Sequence, residues 1–305
     1  AQLTNTVAMV RPSYFSFNPQ TPDNYFQTKP STSESEVRDA AMAEFDRMVS
    51  QLTDLHLNVV VLESPLGPNG EITPDAVFPN NWFSTHPGKL VLYPMKAPNR
   101  RMERQPDALK AALASVNVVY PETVDLTADE HEGGVLEGTG SMVLDRTNKI
   151  AYALQSQRTT EDELNKWAKI MGYRPHFFHA LDLGSKPVYH TNVVMSVGQD
   201  FAVVCTQAIA SADEKKVLVA SLKDSGKEVV DITIDQMYEM CGNVLQVLNT
   251  RGESHIVMSD RAQKGFTSDN IKVLEKNGII VPVKIDTIET VGGGSARCML
   301  AEIFS

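Results

Sequence analysis

Five polar residues of this 305-residue chain recur at nearly equal steps: Asn81, Glu137, His190, Asn243 and Cys298 lie 56, 53, 53 and 55 residues apart. Their types suit nucleophilic catalysis. A cysteine attacks carbon as its thiolate and needs a nearby base or cation. A histidine moves protons near neutral pH, and a carboxylate such as Glu137 can set its orientation and protonation. Cys298 lies in Gly292-Gly293-Gly294-Ser295-Ala296-Arg297-Cys298-Met299, where glycines let backbone approach a ligand and backbone N–H groups could stabilise an oxyanion. Taken singly, His190 has the ordinary alternative of a buried histidine satisfied by backbone, and Glu137 that of a turn residue entering a strand. The common interval favours one position revisited by a repeated structural unit. Glu132-Gly133-Gly134 resembles the Glu137 run but falls out of register.

A repeated unit is legible around these residues. Strand-like runs come in pairs, each pair followed by a helical pattern and one more strand. The pattern predicts strands 142–144 and 149–154, helix 160–171 and strand 175–179; then strands 192–197 and 201–205, helix 213–223 and strand 228–231; then strands 243–248 and 254–258, helix 268–276 and strand 279–283. An earlier copy reads as strands 81–84 and 90–93, helix 106–114 and strand 117–119. A fifth unit can be assembled from the two chain ends: strand 7–11, helix 36–55 and strand 58–62, with 296–304 as the missing first strand. Helix 36–55 has the clearest stripe, Val37, Ala41, Phe45, Met48, Leu52 and Leu55, with Ser33 and Ser35 available as caps. Five ββαβ units joined end to end predict an α/β fold of pseudo-five-fold symmetry, a five-bladed propeller formed as a single domain over 1–305, with the five polar residues around one opening.

Composition narrows the function. The net charge is −10, and no Lys/Arg cluster is interleaved with aromatics, so nucleic acid and anionic membranes are poor partners. No apolar run reaches membrane-spanning length, and the first residues lack the basic and apolar regions of a secretory signal, which predicts a cytoplasmic protein. Three scattered cysteines, Cys205, Cys241 and Cys298, form neither a disulfide framework nor a metal-ligand spacing. The expected partner is a small molecule, with homo-oligomerisation left open. No metal or other cofactor is implied.

These runs resemble the pentein superfamily of guanidino- and ureido-modifying enzymes over essentially the whole chain. The carriers are the C-terminal Gly-Gly-Gly-Ser-Ala-Arg-Cys298-Met, Tyr189-His190-Thr191-Asn192, Leu136-Glu137-Gly138, Ser156-Gln157-Arg158-Thr159 and Phe78-Pro79-Asn80-Asn81-Trp82. The resemblance implies a five-bladed β/α propeller in which the cysteine attacks the central carbon, the histidine moves protons and acidic residues clamp a guanidinium. It also assigns Arg158 to a substrate carboxylate, the alternative being a salt bridge that fixes its loop. The chain departs from the arginine deiminase pattern where carboxylates are expected: His190-Thr191-Asn192 replaces His-x-Asp, Asn80-Asn81 replaces an Asp, and Glu137-Gly138-Thr139-Gly140 replaces Glu-Gly-Gly-Asp.

Those replacements bear on the substrate. A guanidinium is cationic and only donates hydrogen bonds, so burying it without carboxylates is costly. A ureido group is neutral and carries a carbonyl acceptor beside its N–H groups, which asparagine matches. The expected reaction is therefore cysteine-dependent hydrolysis of a ureido amino acid, citrulline giving ornithine, carbon dioxide and ammonia, in keeping with a resemblance to the citrulline hydrolase branch. Cys298, His190 and Glu137 are the expected catalytic residues; Asn81, Asn192, Arg158 and Asn243 are expected to bind substrate. The alternatives are an amidinotransferase or a deiminase acting on a guanidino compound and, from a different class, a noncatalytic binding protein.

Overall fold

A computed structural model describes residues 1–305. The chain forms five separate three-stranded sheets, all with one connectivity. In each, the first strand pairs antiparallel with the second, and the second pairs parallel with the third. Three of the sheets are Phe83–His86, Lys89–Leu92 and Glu122–Asp125; Met142–Asp145, Ile150–Leu154 and Arg174–Phe178; and Met195–Val197, Phe201–Val204 and Glu228–Asp231. The fourth is Leu245–Leu248, Ser254–Ser259 and Ile279–Val283. A parallel pair needs a long crossover, and here a helix supplies it each time: Pro106–Ala114, Glu161–Met171, Ala212–Asp224 and Ser268–Glu275.

The fifth sheet joins the chain ends as the sequence predicts. Ala301–Glu302 pairs antiparallel with Thr6–Arg11, which pairs parallel with Asn58–Glu63. Its crossover is the helix Glu34–Asp54, capped at Ser33, whose hydroxyl accepts the Glu36 N–H. Val37, Ala41, Phe45, Met48 and Leu52 are buried along one face, and that apolar stripe, more than intrinsic propensity, holds a helix of this length in place. The first residues tie neighbouring sheets together: Gln2 Nε2 donates to the Leu144 carbonyl, Gln2 Oε1 accepts the Arg146 N–H, and the Thr4 carbonyl accepts the Leu248 N–H.

Two expectations need correction. Residues 117–119 are not a strand. Asn117 takes a positive φ of 64°, and the Asn117 and Val118 N–H groups return to the Ala114 and Leu113 carbonyls, so these residues finish the preceding helix; the third strand starts after Pro121. Four of the five first strands also start later than expected, at Phe83, Met195, Leu245 and Ala301, whereas Met142–Asp145 starts where the pattern puts it. All five are preceded by a short helical turn or a hydrogen-bonded turn: Pro79–Asn81, Gly138–Ser141, Thr191–Val194, residues 239–242, and Ala296–Met299. The recurring polar residues lie on or beside these turns. There the side chain is free of the strict in-and-out alternation of a strand.

Candidate active site

The turns interlock through glycines. A Cβ on Gly138, whose φ is +51°, would lie 2.2 Å from the Asn80 carbonyl oxygen. A Cβ on Gly140 would lie 2.3 Å from Asn81 Nδ2 and 2.9 Å from His190 Nδ1. These two positions bring the Asn81, Glu137 and His190 turns within van der Waals reach of one another, which no larger residue permits.

Cys298 is buried, and its sulfur lies between two amide side chains. Asn192 Nδ2 is 3.4 Å and Asn243 Nδ2 3.3 Å from Sγ. Asn243 also builds the turn that carries the cysteine. Its Oδ1 accepts the N–H groups of Arg297 (3.1 Å) and Cys298 (3.4 Å), while its Nδ2 donates to the Asn192 carbonyl (2.7 Å). Burial pushes the Cys298 thiol up from its ordinary range; the Ser295 backbone, Asn243, Arg297 and Asn192 oppose that shift. Cys205 and Cys241 are raised by burial to about 11 and about 12 and lack this set of polar neighbours. Arg297 faces away from solvent: its guanidinium donates to the Leu300 carbonyl (2.7 Å) and pairs with Glu302 (3.0 Å).

His190 Nε2 and Glu137 Oε1 are 2.7 Å apart, both side chains fully enclosed. Burial lowers the imidazole to about 4 despite the Glu137 contact, so it is neutral at physiological pH. Burial opposes ionisation of Glu137, but Arg158, the His190 hydrogen bond and Arg100 outweigh it and hold the carboxyl well below the usual carboxylate range. A neutral imidazole beside a fixed carboxylate can accept a proton and be stabilised as imidazolium. The other Glu137 oxygen accepts the Lys96 N–H at 2.9 Å.

Arg158 is occupied. Its Nε and Nη2 donate to the two oxygens of Asp23 (2.9 and 3.1 Å), and Nη1 donates to Glu137 (3.2 Å). The fork that the resemblance assigns to a substrate carboxylate holds a carboxylate from the N-terminal segment, the salt bridge given as the alternative. That segment continues over the site: Asn24 Nδ2 donates to the Gly292 and Gly293 carbonyls, and Gln27 packs against Gly293. The N–H groups expected to face an oxyanion are partly engaged, while that of Gly294 has no acceptor. The Gly293 N–H goes to the Glu289 carbonyl and the Cys298 N–H to the Ser295 carbonyl. A Cβ on Gly292 or Gly294 would meet the Phe78 ring at 2.9 or 3.0 Å, so the run also has to be small.

Asn81 is braced at both ends. Its Oδ1 accepts from Arg100 Nη1 (2.7 Å), and its Nδ2 donates to Asn80 Oδ1 (2.9 Å). Sequence reasoning missed Arg100, which forms a bidentate buried pair with Glu103 and reaches the Asp75 and Phe78 carbonyls. It missed Asp75 as well. That carboxylate is buried, accepts from Asn18 through Oδ2 (2.8 Å), and leaves Oδ1 without a partner; Asn80 Nδ2 is unpartnered too. Nothing in the run Pro98-Asn99-Arg100-Arg101 marks Arg100. Asp75 did carry a signal, a lone acid entering the apolar stretch Ala76-Val77-Phe78. No group of three His, Cys, Asp or Glu side chains is disposed to hold a metal ion, and no helix is long and apolar enough to cross a membrane.

Five ββα β sheets with a Cys, His and Glu on the turns before their first strands define a member of the pentein superfamily. The chain belongs to the family described as N,N dimethylarginine dimethylhydrolase, eukaryotic, which it matches over residues 11–305. No curated protein matches it. Among solved structures it is similar to the cyanobacterial arginine dihydrolase ArgZ in its apo form (TM-score 0.71, 16% identity), covering 97% of this chain and 40% of that one. It spans 98% of the N-terminal domain of ArgZ bound covalently to a reaction intermediate (TM-score 0.72, 15% identity, 98% of this chain). It is also similar to a cysteine-to-serine mutant of DDAH from Pseudomonas aeruginosa complexed with citrulline (TM-score 0.67, 12% identity), covering 99% of this chain and all of that one. At these identities the solved structures establish a shared fold.

Proposed function

We propose that the chain is a cytoplasmic, single-domain, five-bladed propeller enzyme that hydrolyses the ureido group of citrulline to ornithine, carbon dioxide and ammonia. The observation that carries this reading is the pair of amides, Asn192 and Asn243, flanking the Cys298 sulfur; of the nearby carboxylates, Glu137 and Asp23 are matched by Arg158, and Asp75, held by Asn18, keeps one free oxygen away from the sulfur's hydrogen-bond partners. A neutral group with both donors and an acceptor suits that lining; a guanidinium would need a free carboxylate beside the sulfur.

In the proposed reaction the Cys298 proton passes to His190 as sulfur bonds to the ureido carbon. Glu137 stabilises the resulting imidazolium. His190 then gives that proton to the nitrogen of ornithine as the C–N bond breaks, leaving an S-carbamoyl cysteine. Water attacks the same carbon and loses a proton to His190; the C–S bond breaks, the proton returns to sulfur, and carbamic acid leaves and decays to carbon dioxide and ammonia. The Asn192 and Asn243 amides, 3.4 and 3.3 Å from the sulfur, are assigned to the developing oxyanion. Arg158 receives the substrate's α-carboxylate in place of Asp23, and the free Asp75 oxygen receives its α-ammonium group. Asn81 acts by holding Asn80 and the Phe78–Asn81 turn in place.

The family description and the ArgZ likeness favour a second reading, hydrolysis at a guanidino group. One experiment separates the two. The purified protein is incubated with citrulline, arginine or N,N-dimethylarginine, and ornithine, citrulline and ammonia are followed, with Cys298→Ala as control. Ornithine from citrulline, lost in the variant, supports the ureido reading; turnover of arginine or its dimethyl derivative alone moves the enzyme to the guanidino class.

A further inference from the structure

The turn that presents Cys298 is anchored from behind by a carboxyl group that the reaction does not use. Glu289 is buried on the helix Asp286–Gly292, which runs directly into the glycine segment. It grips that segment at two points. Its backbone carbonyl accepts the Gly293 N–H (2.8 Å), and its Oε2 accepts the Ser295 hydroxyl (2.6 Å). Ser295, itself fully buried, uses its backbone carbonyl to accept the Cys298 N–H at 3.0 Å. A continuous chain of contacts therefore runs from Glu289 through Ser295 to the backbone of the nucleophile. The second Glu289 oxygen, Oε1, is buried without a partner. No cation pairs with the group: Arg261, whose charge acts on it, is engaged with Glu239 at 2.9 Å.

We propose that Glu289 is a positioning residue for the nucleophile, fixing through Ser295 the turn that sets the Cys298 sulfur between the Asn192 and Asn243 amides. A carboxyl held this way needs to be an acceptor of the right length and does not need to be charged. The inference rests on Cys298 being the reactive residue, and it is independent of whether the substrate is ureido or guanidino.

Four variants test it: Glu289→Gln, Glu289→Ala, Ser295→Ala and the Glu289→Ala/Ser295→Ala double variant. Gln keeps the acceptor and is expected to keep kcat within about twofold of the parent. Each Ala variant is expected to lower kcat by about tenfold or more with KM nearly unchanged, the cost of misplacing a reacting atom by a fraction of an ångström. Because the two residues act in series, the double variant is expected to be no worse than either single one. A second readout needs no substrate: the pH midpoint of Cys298 alkylation by iodoacetamide, followed by mass spectrometry, should move equally in both single variants and stay in place in Glu289→Gln. Additive losses in the double variant, loss of kcat in Glu289→Gln to the level of Glu289→Ala, or an unmoved alkylation midpoint in both Ala variants would each overturn the proposal. Failure of turnover with a shifted midpoint would instead count against the proposed reaction and leave the positioning role standing.

Discussion

Asp23 grips Arg158 with both carboxylate oxygens, at 2.9 and 3.1 Å, in the two-pronged geometry that a free amino acid's carboxylate would take on the same guanidinium. Arg158 lies over the Tyr189 ring and against Glu137, so its position is fixed whichever carboxylate fills the fork. Asp23 belongs to a segment that also covers the glycine run through Asn24. In the proposed reaction, substrate and Asp23 compete for this fork. Asp23→Asn weakens the occupant by an amount on the order of 1 kcal/mol, the difference between a charge-assisted and a neutral hydrogen bond. The expected outcome in steady-state kinetics on citrulline is a KM lowered about threefold to tenfold with kcat little changed. A raised KM would show that Asp23 shapes the pocket and that the substrate carboxylate binds elsewhere.

Charge beside the Cys298 sulfur is a second point of leverage. Asn192 Nδ2 is a donor 3.4 Å from Sγ, and Asn192→Asp replaces it with an anion of nearly the same shape. A carboxylate there raises a thiol already pushed up by burial and repels a developing oxyanion. Loss of a donor of this kind costs about 3 kcal/mol, so kcat on citrulline should fall by about a hundredfold. KM for arginine should fall in the same variant, because the new carboxylate offers a cation its missing partner. Unchanged citrulline turnover would remove Asn192 from the reacting centre.

The repeat was readable from the sequence because its strands are short apolar runs and its crossover helices carry clear stripes; Glu228–Asp231 and Ile279–Val283 fall where the pattern puts them. The chain-end sheet was readable for the same reason, although its Ala301–Glu302 strand is only two residues long. The turns before the first strands were not. Gly138–Ser141 and Thr191–Val194 are single helical turns fixed by tertiary contact, such as Thr191 Oγ1 donating to the Ser141 carbonyl at 2.6 Å, and four residues carry no periodicity. Among site residues, spacing singled out Cys298, His190, Glu137, Asn243 and Asn81. Asp23 lies outside the repeat and far in sequence from Arg158, and Arg100 sits between a second strand and its crossover helix, where the pattern marks no residue, so only the folded chain shows their contacts with Arg158 and Asn81.

Glycine size where the Asn81, Glu137 and His190 turns meet yields a sharper test than any charged residue. Gly140→Ala places a Cβ 2.3 Å from Asn81 Nδ2 and 2.9 Å from His190 Nδ1. One of the two side chains must move. Displacement of a general base by about 1 Å costs about a hundredfold in rate, so kcat should fall by that order. Gly172→Ala is the matched control. It ends the helix Glu161–Met171 at φ +73° with nothing near the added methyl, so it should cost about 1 kcal/mol of stability through backbone strain and leave kcat intact. Equal kcat in the two variants would mean that the Asn81 and His190 turns are not in catalytic register.

Two buried groups bend the stability profile in opposite directions. Burial raises the Glu289 carboxyl from its ordinary 4.5 to about 7, weakly opposed by the nearby Ser259 and Ser295 hydroxyls and by Arg261, with Asp286 adding to the rise. The folded state thus binds the proton more tightly than the unfolded chain. The resulting stability is complete below pH 4.5 and is lost as pH rises through about 7. His190 behaves oppositely: lowered by burial from 6.5 to about 4, it contributes stability above pH 6.5 that is lost as pH falls through about 4. Each contribution is on the order of 3 kcal/mol, so over pH 4.5–6.5 they largely offset one another in the parent protein. Glu289→Gln removes one of them. Its melting temperature should therefore rise more steeply than the parent's between pH 4.5 and 6.5 and exceed it by several degrees above pH 7.5, where the parent carries a buried charge with an unpartnered oxygen. Thermal melts of both proteins across pH 4.5–8.5 decide the matter; parallel curves would mean that Glu289 is ionised in the folded protein throughout that range.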